Sequence, residues 1–147
     1  MAPGYETHWH RCHLASQLQK LPIQSFISSH KSGDDLSNSS KLVGIAWGGN
    51  SGNPIQDVEV SFDNGSNWSK AEHIDDPVLF NGTTWNWIRW SLDIPESVKT
   101  KRDVQVMCRC RSTAGEEQTD EIGSPKGGSS LYLFNGYHRI TLNCTTN

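Results

Sequence analysis

The densest group of side chains able to ligate a metal lies near the start of the chain, at His8, His10, Cys12 and His13. Zinc takes three or four nitrogen or sulfur ligands in a tetrahedron, commonly as pairs separated along the chain. No partner pair follows this group in the sequence. We therefore expect residues 1–20 to form a linker or extension, with adventitious metal binding as the alternative.

Two further groups of side chains that could take part in chemistry lie in strand-like segments. His138 and Arg139 could pair a general base with an electrophile, because imidazole is the usual side-chain base near neutral pH. Their place beside aromatic residues near the end of the chain favours packing and hydrogen bonding instead. Arg89 lies between Trp87 and Trp90, and we expect it to stack on an indole ring, a structural cation–π contact worth about 0.5–2 kcal/mol.

Composition and missing motifs exclude several function classes. The sequence contains neither the G-x-S-x-G motif of hydrolases nor a G-x-x-x-x-G-K-[ST] phosphate-binding loop. The chain has 147 residues and a net charge of −3, which argues against a nucleic-acid partner because such proteins carry a basic face. No apolar run reaches the ~18 residues of a membrane helix, and no signal-peptide pattern begins the sequence. We expect one domain that does not interact with membranes and has little chain left to enclose a cofactor.

Four cysteines occur, at Cys12, Cys108, Cys110 and Cys144. Cys108 and Cys110 are two residues apart in an alternating segment, so their side chains point to one face of a strand and cannot easily bond each other. We expect reduced cysteines that serve as small core residues, in keeping with the missing signal peptide. A Cys108–Cys144 bridge is the alternative.

Short alternating segments spaced about ten residues apart predict an all-β fold. In the clearest segment, Val58, Val60 and Phe62 face one way while Asp57, Glu59 and Ser61 face the other, which is the period of a half-buried strand. The predicted strands are 23–27, 42–47, 55–62, a return strand from Trp68, 85–92, 103–111, and a last strand over 131–133 and 139–142, with loops over 28–40 and 71–84. About seven strands without a long amphipathic helix are typical of an immunoglobulin-like β-sandwich.

Six segments resemble, in the same order, the motifs of one known family. They are Leu21–Ile27 (L-P-V-Q-S-A-I in the family), Gly44–Gly49 (G-Y-A-W-x-G-G), Val58–Trp68 (V-D-V-S-x-D-G-G-x-x-W), Trp85–Leu92 (W-x-W-x-x-W-x-L), Val106–Arg111 (V-x-C-K-A-x) and Asn135–Ile140 (N-x-W-H-R-V). The family is the C-terminal dimerisation domain of sulfite oxidase, shared by molybdenum-cofactor oxidoreductases including eukaryotic nitrate reductase. The resemblance covers residues 21–142, and its first motif favours the sulfite oxidase branch.

The resemblance implies an immunoglobulin-like (E-set) sandwich over residues 21–147, preceded by the extension 1–20. It also implies a homodimer that supports sulfite oxidation only within a longer enzyme. In that family the molybdopterin pocket and the molybdenum-ligating cysteine belong to a separate upstream domain. This chain is therefore expected to bind no cofactor or metal by itself and to hold no catalytic residue, whether it is a fragment or a stand-alone relative. By resemblance to animal sulfite oxidase, the compartment is the mitochondrial intermembrane space.

One basic residue of this domain reaches the substrate pocket in that family, from an N-L-R-G loop. The matching loop here reads Ser124-Pro125-Lys126-Gly127, and Lys126 takes the arginine's place only with a short insertion before Leu131; otherwise Ser130 takes it. A lysine keeps the positive charge but lacks the planar guanidinium group, which binds sulfite or sulfate through paired hydrogen bonds. Lys126 is the candidate anion contact in the assembled enzyme, and a solvated loop lysine is the alternative.

The tryptophans are also compatible with a different class of protein. Five of the six fall between Trp47 and Trp90, and a β-sandwich with exposed aromatic rings can be a carbohydrate-binding or general protein-interaction module. Exposure separates these classes. The module interpretation fails if Trp47, Trp85, Trp87 and Trp90 are buried, or are covered only by a second subunit.

Overall fold

The computed structural model describes residues 22–48, 53–75, 79–80, 83–84, 87–120 and 136–144, with 79–80 and 83–84 described by their backbone alone. The strands are β1 (Gln24–Ile27), β2 (Lys41–Trp47), β3 (Ile55–Ser61), β4 (Ser69–Lys70), β5 (Glu72–His73), β6 (Leu79–Phe80), β7 (Thr83–Thr84), β8 (Ile88–Asp93), β9 (Val104–Ser112) and β10 (His138–Leu142), and the helix α1 is Glu96–Lys99. The predicted all-β class is confirmed.

Two four-stranded antiparallel sheets form the layers of the sandwich. Sheet 1 has the order β1-β2-β8-β5 and sheet 2 the order β10-β9-β3-β4, while β6 and β7 pair in a small hairpin. The predicted β-sandwich is confirmed, because the protein has two packed antiparallel sheets. Its assignment to the immunoglobulin-like E-set type stays a prediction. The division into 1–20 and 21–147 also stays a prediction, since residues 1–21 lie outside the described part.

The core between the sheets follows from the alternation read in the sequence. Val58 pairs with Cys110 and Val60 with Cys108 across β3 and β9, and all four side chains are buried. Glu59, between the two valines, lies on the outer face of sheet 2 and bonds to a neighbouring strand there. The period-two pattern therefore predicted the inward faces of β3 and β9. Ser61, predicted on the outer face of β3, is instead fully buried, where its hydroxyl donates to Asp63 and accepts from the amide of Gly65 in the turn that follows.

The described cysteines are free and buried, as predicted for reduced core residues. Cys108 and Cys110 lie on the inner face of β9, and Cys144 donates its thiol proton to the carbonyl oxygen of Val98 at 3.4 Å. The alternative Cys108–Cys144 bridge does not form. Burial raises the pKa of Cys108 to about 12 and raises that of Cys110 as well, so neither is a thiolate at neutral pH. Cys12 lies outside the described residues.

The free edge of β10 is covered by the segment that the sequence predicted as a loop. The amide of Gly33 donates to the carbonyl of Thr141 at 2.8 Å, and the amide of Asn143 donates to the carbonyl of Asp34 at 2.9 Å. Leu36 follows with its side chain fully buried. These bonds occupy backbone groups that would otherwise be able to pair with another chain.

The structure differs from the predicted elements in three places. The predicted loop 71–84 contains β5, β6 and β7, and the strand predicted from residue 85 begins at Ile88. The short helix α1 was not predicted. These elements have two or four residues each, too few for a periodic pattern, and β5 is a strand only because it pairs with β8 through Glu72 and Ser91. The predicted strand 131–133 lies outside the described residues.

Gly44 and Trp90 pack closely against each other in the core. Gly44 pairs with both Ile27 and Trp90 across sheet 1, and the fully buried indole of Trp90 lies across the space where a β-carbon on residue 44 would be. The carbonyl oxygen of Phe26 closes the other side of that space. Position 44 is therefore restricted to glycine by packing.

We predict that Gly44→Ala lowers the free energy of unfolding by about 1–3 kcal/mol, because the added methyl overpacks a well-filled core. Urea denaturation monitored by tryptophan fluorescence measures this difference. Ile45→Val is the control, since Ile45 is the next residue of β2 and lies on the half-exposed outer face; a loss well below that of Gly44→Ala is expected. Equal losses for the two variants would contradict the packing argument.

Candidate interaction surface

The outer face of sheet 2 is covered by side chains that satisfy one another. The guanidinium of Arg109 bonds the carboxylate of Glu59 at 2.7 Å and lies 4.1 Å from the centroid of the Trp68 ring. The same guanidinium donates to the Tyr137 hydroxyl at 3.3 Å, and the rings of Trp68 and Tyr137 meet edge to face at 5.4 Å. The face also carries the ion pairs Asp57–Lys70 and Arg111–Glu117. Among the described residues, these ion pairs balance the charge of this face.

The outer face of sheet 1 is apolar instead. Cross-strand pairing places Phe26, Ile45 and Arg89 in one row across β1, β2 and β8, and Ile74 extends this row beyond β5 through its amide bond to the Arg89 carbonyl. Phe26 is 36%, Ile74 46% and Trp87 59% exposed. We call the face made by Phe26, Ile45, Trp47, Ile74 and Trp87 the aromatic surface.

Rings on this surface contact each other in a continuous strip. Trp47 and Trp87 stack with centroids 5.0 Å apart and planes 21° apart, and Phe26 lies 5.3 Å from Trp47. His138 meets Phe26 edge to face at 5.4 Å. Such offset and edge-on geometries are the favourable ones between aromatic rings. The rings therefore pack against one another within a single chain.

Ion pairs border the aromatic surface. Arg89 donates to both carboxylate oxygens of Asp75, at 2.9 and 2.7 Å, and its backbone amide donates to the same group at 3.0 Å. These bonds hold the pKa of Asp75 at about 2. Lys41 pairs with Asp93 at 3.3 Å at the other end of the sheet. The predicted stacking of Arg89 on tryptophan is thus replaced by an ion pair, because the carboxylate lies within reach of its fork.

A buried polar network lies where β1 meets β9, close to the aromatic surface. The side-chain oxygen of Gln118 accepts from the Ser25 hydroxyl at 2.6 Å and from the Cys110 amide at 3.0 Å. Its nitrogen donates to the Gln24 side chain at 3.2 Å and to the Gly136 carbonyl at 3.0 Å. Gln118 is 3% exposed, and its four bonds fix the edge of sheet 1 against sheet 2. Sequence reasoning missed it because a glutamine in a polar loop carries no distinguishing pattern.

His138 joins the two sheets through a hydrogen bond. Its Nδ1 accepts a hydrogen bond from the amide of Ile27 at 3.1 Å, so the neutral ring carries its proton on Nε2. Arg139 bonds the carboxylate of Asp120 and the carbonyl of Tyr137. The predicted packing and hydrogen-bonding roles of both residues are confirmed.

The remaining predicted residues divide between the described and undescribed parts of the chain. Trp90 is fully buried, Trp47 is half-buried and Trp87 is exposed, so the tryptophans neither all enter the core nor all face solvent. Lys126, Trp85 and the cluster His8, His10, Cys12 and His13 lie outside the described residues. Their predicted roles stay predictions.

The described residues do not fit a molybdenum cofactor. They contain no group of three or more His, Cys, Asp or Glu side chains placed to hold a metal ion. A thiolate ligand would have to come from Cys108, Cys110 or Cys144, and burial raises the pKa of each of these thiols. No helix in the described part of the chain has the length and apolarity to cross a membrane.

In the described part of the chain, two antiparallel sheets form a β-sandwich, and the outer face of sheet 1 exposes Trp87 and Ile74. The family model of the Mo-co oxidoreductase dimerisation domain matches residues 15–144. The chain belongs to this family of molybdenum-cofactor (Mo-co) oxidoreductase domains.

Sulfite oxidases are among the known proteins whose sequences resemble this chain. The chain is 28% identical to mitochondrial sulfite oxidase of Rattus norvegicus over 128 residues, which is 86% of this chain and 23% of that protein. It is 28% identical to sulfite oxidase of Gallus gallus over 126 residues, covering 85% of this chain and 26% of that protein. The chain thus matches about a quarter of the length of these curated relatives.

A solved structure has the same fold. The sulfane dehydrogenase SoxCD from Paracoccus pantotrophus superposes with a TM-score of 0.62 at 20% identity, over 86% of this chain and 33% of that one. At this identity the likeness concerns the fold alone, and it agrees with the sandwich described above.

We predict that His138 makes the stability of the domain depend on pH. Burial lowers the pKa of His138 from its ordinary value of 6.5, so the unfolded chain binds the proton more readily. The contribution is fully present above pH 6.5 and is lost as the pH falls from 6.5 through the folded-state pKa. Protonation of Nδ1 would remove the acceptor for the Ile27 amide, a bond worth about 1 kcal/mol.

His138→Asn tests this, because asparagine keeps an acceptor near the position of Nδ1 without titrating. Urea denaturation at pH 7.5 and 5.5 should show a smaller loss of unfolding free energy for the variant than for the wild type, because asparagine does not titrate in this range. Burial also lowers the pKa of His73, but His73 is present in both proteins and cancels in the difference. Equal losses in the two proteins would contradict the role of His138.

Proposed function

We propose that this chain is a dimerisation and support domain of a sulfite oxidase-like molybdenum oxidoreductase. The observation that carries the proposal is the aromatic surface on a domain whose family is defined by dimerisation. Trp87 and Ile74 keep 59% and 46% of their surface exposed, and burying such side chains is favourable by about 25 cal/mol per Å². The homodimer and the parent activity both belong to this proposal.

The chemistry of the parent enzyme lies outside this chain in the proposal. Molybdopterin and its metal are bound by an upstream domain, and this domain contributes at most an anion contact through Lys126. The rat and human relatives are named as mitochondrial proteins, and we propose the same compartment for the parent enzyme.

A concentration-dependent dimer is the first expected outcome. Sedimentation velocity over a hundredfold range of protein concentration should show the weight-average sedimentation coefficient rising from the monomer value towards that of a dimer. A stable contact of this kind buries about 1,200–2,000 Å² in total. A single monomer species at the highest concentration would refute the dimer.

The second expected outcome is that the isolated chain does not oxidise sulfite, even with molybdenum cofactor supplied, because the cofactor pocket belongs to the upstream domain. Sulfite-dependent reduction of an electron acceptor measures this, with chicken sulfite oxidase as the positive control. Turnover above the blank would show that the chain carries a cofactor site of its own.

A further inference from the structure

The turn that follows β3 holds the dipeptide Asn64-Gly65 in a left-handed backbone conformation. The φ angles are 57° at Asn64 and 86° at Gly65, and the amide of Ser66 donates to the carbonyl of Asp63 at 3.4 Å. Positive φ at both central residues is the pattern of a type I′ turn, which favours Asn-Gly. The side chain of Asn64 is exposed, so water reaches it.

Asn-Gly is also the dipeptide in which asparagine reacts most readily with its own backbone. The deprotonated amide nitrogen of glycine attacks the side-chain carbonyl carbon of asparagine, a new C–N bond closes a five-membered succinimide ring, and ammonia leaves. Water then opens the ring at either carbonyl, which gives aspartate or isoaspartate. We infer that Asn64 is a site of this covalent modification and that the hydroxyl of Ser61 keeps it unreactive while the domain is folded.

The folded turn hinders the attack in two ways. The amide of Gly65 donates its proton to the Ser61 hydroxyl oxygen at 2.8 Å, and the nitrogen becomes a nucleophile only after losing that proton. In the left-handed region ψ is about +47°, which points the amide nitrogen of the next residue away from the asparagine side chain. The reaction therefore needs the turn to open locally, and its rate follows the population of the open form.

Ser61 is itself held in place by Asp63. Ser61 is fully buried, and its hydroxyl donates to the carboxylate of Asp63 at 2.8 Å, which leaves its oxygen free to accept from Gly65. Asn67 donates to the same carboxylate from its backbone amide at 2.8 Å and from its side chain at 2.7 Å. These bonds hold the pKa of Asp63 at about 2, so the carboxylate stays an acceptor at neutral and alkaline pH.

The test compares the folded and the denatured full chain at pH 8, by mass spectrometry of tryptic peptides. The sequence has two further Asn-Gly dipeptides, at Asn81 and Asn135, and trypsin separates the three sites into peptides 42–70, 71–89 and 127–139. In guanidinium chloride we expect similar rates at all three sites, because only the dipeptide then matters. Without denaturant, Asn64 should react at least about tenfold more slowly than in the denatured chain.

Ser61→Ala is the variant that tests the protecting bond. It should raise the rate at Asn64 in the folded domain about fivefold, the factor that corresponds to one lost hydrogen bond. Ser69→Ala is the matched control, since Ser69 is an exposed serine on β4, and it should change the rate by less than about twofold. Asn64→Gln should abolish the products assigned to this position, because glutamine would have to close a six-membered ring. Circular dichroism checks that each variant is folded.

Asn67→Ala is the second variant should Ser61→Ala not fold. It removes the side-chain bond to Asp63 from an exposed position, and we expect it to raise the rate at Asn64 in the same direction. Equal rates at Asn64 in the folded and denatured wild type would overturn the protection. A slow folded-state rate that the Ser61 variant, or Asn67→Ala in its place, leaves unchanged would overturn the role of Ser61, and no product at Asn64 in the denatured chain would overturn the site itself.

Discussion

Trp90 fills the space over Gly44, and the arrangement of sheet 1 depends on that contact. The indole is fully buried, and it can lie flat against β2 only because residue 44 has no side chain. Ile27, the cross-strand partner of Gly44 on β1, packs in the same layer of the core. A dense interior of this kind transmits any added volume to its neighbours, so the position of β1 and of Phe26 on its outer face follows from the core.

The edge of β1 is then fixed by polar bonds rather than by apolar packing. Gln118 uses both ends of its amide to join Ser25 and Gln24 to β9 and to Gly136, and His138 receives the amide of Ile27. Buried polar groups that find all their partners hold one geometry, because any shift leaves a donor or acceptor unsatisfied. The strip of rings that begins at Phe26 is therefore built on a rigid edge.

The two outer faces of the sandwich differ in a way that fits a domain of this family. Sheet 2 pairs its charges within the chain, which makes that face compatible with water. Sheet 1 leaves Trp87 and Ile74 exposed although both are large and apolar, and exposed apolar patches of this kind mark interaction sites. The relatives are about four times longer than the matched segment, so their catalytic chemistry has ample room outside a domain such as this one.

The sequence alone predicted the fold class, the inward faces of β3 and β9 and the family, and it favoured reduced cysteines over a Cys108–Cys144 bridge. These follow from the period of two in a strand and from motifs that keep their spacing, both of which are local properties of the chain. Only the tertiary structure decided that Arg89 binds Asp75, that Gln118 is buried, and that Trp87 is exposed while Trp90 lies in the core. These outcomes depend on which distant residues come into contact. The strand β5 has too few residues to be recognised from a sequence pattern, and the hydrogen-bond partners of Gln118 lie 8 to 94 positions away along the chain.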